Sequence, residues 1–168
     1  MFEIAKSEDF ESIAQLNVLA YEEFAAHLQA GSWEIMQKNL SNIKERADSA
    51  TFLLFRVKDE LVGSVAYCPA GKSDSAVFRQ DMASILLLAV HPRQRGKGLA
   101  KALTKACISM ARRDGARSIG LFTSELMISA QHVYRSLGFQ EDAELPMRHG
   151  IRYFRYILEL ETTNLLNE

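Results

Sequence analysis

Residues 85–101 read Ile-Leu-Leu-Leu-Ala-Val-His-Pro-Arg-Gln-Arg-Gly-Lys-Gly-Leu-Ala-Lys, and the order of residue types in this stretch restricts the fold more than any other. An apolar run, Ile85–Val90, stops at His91-Pro92. A short apolar run bounded by a turn signal predicts a buried strand. Gly96 and Gly98 follow, set among Arg93, Arg95 and Lys97. A helical pattern then starts at once, with Leu99, Ala102, Leu103, Ala106 and Met110 on one side and Lys101, Lys105 and Arg112 on the other. A strand, a glycine turn and a helix start, in that order, leave unpaired backbone N–H groups at the positive end of a helix dipole, where a phosphate can be held. Glycine permits positive φ and a close approach of the backbone to that anion. The segment therefore predicts a pyrophosphate cradle.

Two common phosphate motifs fail on spacing. A P-loop needs glycine five residues before its Gly-Lys-Ser/Thr end. Here Gly96-Lys97 is followed by Gly98, and position 91 is His. The dinucleotide fingerprint needs Gly or Ala at the place held by Lys101, near the start of a βαβ unit rather than after some eighty residues of other structure. The pattern that fits is Arg/Gln-x-x-Gly-x-Gly/Ala, filled by Arg93, Gln94, Arg95, Gly96, Lys97 and Gly98. Together with the preceding strand and His-Pro, the following helix, and a downstream Tyr134-Arg-Ser-Leu-Gly138-Phe139, it resembles the acetyl-CoA signature of the GNAT N-acetyltransferase superfamily. The likeness is strongest over residues 83–140.

The resemblance implies an α/β fold: a mixed, largely antiparallel sheet with helices on both faces and a splay between strands four and five. It implies acetyl-CoA as co-substrate, with its pantetheine arm paired to main-chain groups of Leu88 and Val90. Backbone N–H groups of Arg95, Gly96, Lys97, Gly98, Leu99 and Ala100 would surround the pyrophosphate. Tyr134 would be the general acid for the departing thiolate, a role that suits a phenol within hydrogen-bond reach. Many relatives carry Asn seven residues before that tyrosine; here the position holds Met127. Some relatives place a glutamate base on strand four, but Ala83–Val90 has no carboxylate, which leaves Glu125, just after strand five, as the candidate base. The expected activity is direct acyl transfer from acetyl-CoA to a primary amine, small molecule or peptide, with no metal. The alternative is a non-catalytic acyl-CoA-binding sensor or regulatory module.

The element order read from periodicity and breakers is compatible. A strand at Phe2–Lys6 precedes helices at 10–27 and 33–46; strands at 51–58 and 61–68 flank Asp59-Glu60; a polar loop covers 69–80. Strand four at 83–90, a helix at 97–114, a strand at 117–123, a short helix at 129–137, and strands at 139–144 and 152–160 complete the chain. At 168 residues this predicts one domain over 1–162 and a frayed tail at 163–168. The first two helices and the loops at 69–80 and 145–152 are expected to shape the acceptor site, with Glu22, Glu23 and Glu34 available to attract a cationic amine.

Charge narrows the partners. The net charge of −1 hides an asymmetry, since residues 91–117 hold eight basic residues against Asp114. A local basic patch on a near-neutral chain suits a compact anion better than a nucleic-acid backbone, and aromatics for base stacking are nearly absent there. Cys68 and Cys107 have no metal spacing and predict reduced, buried thiols. The start, Met-Phe-Glu-Ile-Ala-Lys, lacks a basic n-region and an apolar h-region, so no signal peptide is expected, and no apolar run approaches the roughly 20 residues of a membrane helix. The expectation is a cytoplasmic protein without nucleic-acid or membrane partners, with strand edges that could form a homodimer.

Overall fold

The structure, a computed structural model, describes residues 1–161. The tail expected at 163–168 lies outside the described residues. The strands are β1 (Glu3–Ile4), β2 (Thr51–Val57), β3 (Glu60–Cys68), β4 (Met82–Val90), β5 (Ser118–Ser124), β6 (Gln140–Arg148) and β7 (Ile151–Glu159). The helices are α1 (Phe10–Tyr21), α2 (Ser32–Ser41), α3 (Ile43–Arg46), α4 (Leu99–Arg113) and α5 (Ile128–Ser136). One sheet orders the strands β1-β2-β3-β4-β5-β7-β6. Only β4 and β5 run parallel, as a strand–helix–strand crossover through α4 requires; the other neighbours are antiparallel.

Strand alternation divides the apolar residues between two layers. Leu53, Val65, Tyr67, Ala83 and Ile85 face a cluster closed by Leu103, Cys107, Ile108 and Ala111 of α4 and by Tyr134 and Phe139. Phe52, Leu54 and Ala66 face the opposite side, with Ile13, Leu16 and Ala20 of α1 and Ile43 of α3. Full burial of a side chain such as Leu103 contributes about 2 kcal/mol. α4 seats closely on β3 because Gly63 has no Cβ; one built there would lie 2.8 Å from Leu99 Cδ2.

Several boundaries differ from the sequence expectation, each for a local reason. β1 is two residues long because the Lys6 N–H turns to the Asp9 carboxylate (2.8 Å), starting the first helical turn. The β2–β3 turn is Lys58-Asp59, both left-handed, while Glu60 is already in β3. α1 ends at Tyr21 and continues as a 3-10 turn over Glu22–His27. The second helix breaks at Asn42, whose ψ of 65° leaves the helical region. The expected loop at 145–152 is a tight hairpin: β6 runs to Arg148, and His149 and Gly150, both at positive φ, make the turn.

Candidate active site

The centre of the site is a break in β4. Ser64 pairs with Ala89 but Ala66 pairs with Leu86, so Leu87 and Leu88 together oppose Val65. This is a β-bulge, and Leu87 adopts φ 54° to make it. A branched residue in that conformation costs of order 1 kcal/mol or more. The extra residue reverses the facing of the strand. Ala83 and Ile85 point to the α4 layer before the bulge; Leu88 points there after it, and Ala89 points to the α1 layer.

β4 also leaves its neighbour at this level. Pairing with β5 covers only Met82–Ser84 against Ser118–Gly120. Beyond it the parallel strands diverge, and ligands of α/β sheets bind at such divergent carboxyl ends. The gap opens into a cleft of about 590 Å³ lined by Leu88 and Val90, by Tyr21 and Phe24, by Leu126–Ala130, and by Val133 and Tyr134.

The glycine loop forms the other end of the same cleft. His91 Nδ1 accepts the Arg93 N–H (3.1 Å) and starts a 3-10 turn over Pro92–Gln94. Gly96 and Gly98 then take φ 76° and 78°, and Gly98 caps α4. A Cβ at either position would meet no atom within 4 Å, so it is conformation and not crowding that demands glycine here. Among the described residues no acceptor is recorded for the backbone N–H groups of 96–101, and no acidic side chain lies in the first turn of α4. These open donors at a helix start fit a pyrophosphate.

Of the residues singled out from sequence, Leu88, Val90, Arg95, Gly96, Gly98, Leu99, Ala100 and Tyr134 line this cleft. Lys97 belongs to the loop but turns its ammonium to Gln94 Oε1 (3.1 Å). The Arg95 guanidinium reaches away from the loop, donating to the Ala20 carbonyl (2.9 Å) and pairing with Glu23 (2.5 Å). It ties the glycine loop to the end of α1. Glu125 is exposed and outside the cleft lining; its carboxylate accepts the Arg152 N–H (3.1 Å). Met127 does line the cleft, at the start of α5.

Tyr134 is 6% exposed and packs against Phe139 and Tyr156. Burial, with smaller contributions from Tyr21 and Cys107, raises its phenol far above the ordinary tyrosine value. The side chain lines the cleft, and among the described residues its hydroxyl makes no hydrogen bond. Tyr21 lines the cleft with no sign in the sequence, as do Phe24 and Leu126. The Tyr21 hydroxyl donates to the Leu88 carbonyl (2.9 Å), bracing the bulge from α1. Burial, and then Tyr153, push its phenol up to about 12. Among the described residues no group of three metal-ligating side chains occurs, and no helix is long and apolar enough to cross a membrane.

A mixed sheet splayed beside a bulge, with a glycine loop capping a helix at one end of the gap, defines an α/β protein with an elongated cleft that ends in open backbone donors. Residues 8–139 match the Acetyltransferase (GNAT) family, and the chain belongs to it. It is 30% identical over 134 residues to a mycothiol acetyltransferase of Thermobispora bispora, an alignment covering 78% of this chain and 43% of that protein. It is 31% identical over 93 residues to human N-acetyltransferase 8B, covering 55% of this chain and 40% of the relative. The chain thus spans less than half the length of these curated relatives. Its fold superposes on yncA of Salmonella typhimurium, solved with its cofactor acetyl-CoA, with a TM-score of 0.69 at 18% identity, over 98% of this chain and 95% of that one.

Proposed function

We propose that the protein transfers an acetyl group from acetyl-CoA to an amine. One observation carries this reading: the open N–H groups of 96–101, the bulged edge at Leu88–Val90 and the Tyr134 phenol line one continuous cleft. The yncA structure, with acetyl-CoA bound, supports the choice of donor. In this reading the open backbone N–H groups of 96–100 bind the pyrophosphate, the Arg95 N–H being directed to the Pro92 carbonyl (3.5 Å), and main-chain groups of Leu88 and Val90, unpaired with β5, hold the pantetheine arm. The Leu88 N–H polarises the thioester carbonyl in the manner of an oxyanion site.

The amine attacks in its neutral form. A C–N bond forms, the C–S bond breaks, and Tyr134 gives its proton to the departing sulfur. Because burial raises its phenol, Tyr134 keeps that proton at any working pH. A raised phenol is a weaker acid, yet a thiolate left in the same apolar cleft is also disfavoured, so protonating it removes a buried anion. The reading gives Glu125 no part, since its carboxylate is engaged outside the cleft; the ammonium loses its proton to water before attack. Positioning of the two reactants supplies much of the acceleration.

The test is a thermal melt with acetyl-CoA, followed by thiol release against an amine panel. The expected result is a rise in melting temperature that saturates with ligand, and release of CoA that depends on an amine. No rise would overturn the donor assignment. A rise without turnover on any amine would leave a CoA-binding module instead of an enzyme.

A further inference from the structure

A second, smaller pocket of about 150 Å³ opens on the α1 side of the sheet. Its floor is Leu86 of β4 and Phe122 of β5. These residues lie two positions beyond the last paired level, Ser84 with Gly120, and so sit at the crotch of the splay. Leu86 is two residues from Leu88, roughly 7 Å along the strand. Two guanidinium groups face the pocket from opposite sides: Arg46 from the end of α3 and Arg148 from the end of β6.

Among the described residues neither cation is neutralised. Among the described residues no carboxylate lies within ion-pair distance of either, and Arg46 Nε is buried with no hydrogen-bond partner. Arg148 stacks over the Phe122 ring, 5.8 Å from its centroid, which aims its charge at the pocket floor. Asp74, the one acid on the wall, accepts the Ala76 N–H. That wall is fixed from below: Arg155 donates to the Val77 carbonyl (2.8 Å) and pairs with Asp142 through both nitrogens (2.8 and 2.9 Å). A desolvated guanidinium with an idle donor is costly in a folded protein unless an anion completes it. Burial alone already lowers the Arg46 value, the direction expected of a cation without a counter-charge.

We propose that this pocket is a subsite for an anionic group, a carboxylate or a phosphate ester, carried by the amine that is acetylated. The subsite rests on the acetyl-transfer reading for the identity of its ligand. It selects amines by a second charge about two residues' length, roughly 7 Å, from the reacting nitrogen.

Matched acceptors test it: dipeptides against their C-terminal amides, and phosphoethanolamine against ethanolamine. The first pair reads a carboxylate, the second a phosphate ester. At least one anionic member is expected to be favoured tenfold or more in kcat/KM. Arg46→Gln and Arg148→Gln should each erase that preference through KM, leaving the neutral amines and the acetyl-CoA melting shift unchanged. Arg148 is exposed, so its variant keeps the test intact if Arg46→Gln lowers stability. Direct binding is read with acetate and inorganic phosphate on CoA-saturated protein, which removes the glycine loop as a competing site. A stabilisation lost in both variants is expected. Equal use of charged and neutral amines, equal loss of both in the variants, or no anion stabilisation in the wild type would overturn the subsite. An acetyl-CoA shift without anion discrimination defeats this proposal alone. An absent acetyl-CoA shift defeats the donor reading; the anion melts, repeated without CoA on the wild type and both variants, then judge the pocket by themselves.

Discussion

Two tyrosines from opposite layers of the sheet meet at the bulge, and they are suited to different tasks. Among the described residues the Tyr134 hydroxyl has no hydrogen-bond partner, so removing that oxygen costs the fold little. Tyr134→Phe is expected to lower kcat about 100-fold, the lower end for loss of a general acid, with the acetyl-CoA melting shift unchanged. Stopped-flow or steady-state thiol release reads the first and a melt the second; undiminished turnover would remove the acid role. Tyr21 is a brace, since its hydroxyl is spent on the Leu88 carbonyl. Tyr21→Phe should lower stability by about 1 kcal/mol and raise KM for acetyl-CoA, because the edge proposed to receive the pantetheine arm is then less fixed. Tyr134 was legible in sequence because it stands four positions before Gly138-Phe139 in a recognisable frame. Tyr21 was not, since its partner lies 67 residues away and no local pattern links them.

At the level of elements, the glycine loop and the bulge show what sequence can and cannot display. The loop is a local object: turn residues, a cap and a helix start stand side by side, so its place was read from residues 91–101 alone. The bulge lies inside Ile85–Val90, where every side chain is apolar. A strand buried on both faces shows no alternation, so nothing marks the residue at which the facing reverses. The same holds for the end of α1, where apolar spacing runs on past Tyr21 although the backbone tightens to a 3-10 turn. Gly98 tests the loop. Its φ of 78° strains any side chain, and the space around it is open. Gly98→Ala should lose about 1 kcal/mol, some 2–4 °C in melting temperature for a chain of this size, and keep part of its acetyl-CoA response. Gly98→Glu adds a negative charge to the anion cradle and should lose that response entirely. An unchanged response in Gly98→Glu would move the pyrophosphate elsewhere.

For the molecule as a whole, the two-layer arrangement was legible as an α/β order of elements, but not the pairings that join the layers across the splay. Arg95 to Glu23 and Tyr21 to Leu88 connect distant segments, and only the folded sheet brings them together. The same closure buries weak acids, which gives the fold a particular response to alkali. Desolvation raises Tyr21 from 10.0 to about 12 and Cys107 from 9.0 to about 12, and raises Tyr134 as well. Below pH 9 these groups are protonated in folded and unfolded chains alike, and their contribution is intact. Above pH 9 for the thiol and 10 for the phenols, the unfolded chain releases protons that the native state keeps. Stability then falls until the folded values are reached. Each group lowers it by about 1.4 kcal/mol per pH unit, so the three together remove about 4 kcal/mol per unit between pH 10 and 12. A domain of ordinary stability, about 10 kcal/mol, should unfold cooperatively within that window. Urea midpoints measured from pH 8 to 11.5 are expected to hold steady to about pH 9 and then drop. Tyr134→Phe should flatten the drop by about one group's share, whereas midpoints that stay level to pH 11.5 would mean that these side chains are not closed from water as the sheet and its two layers require.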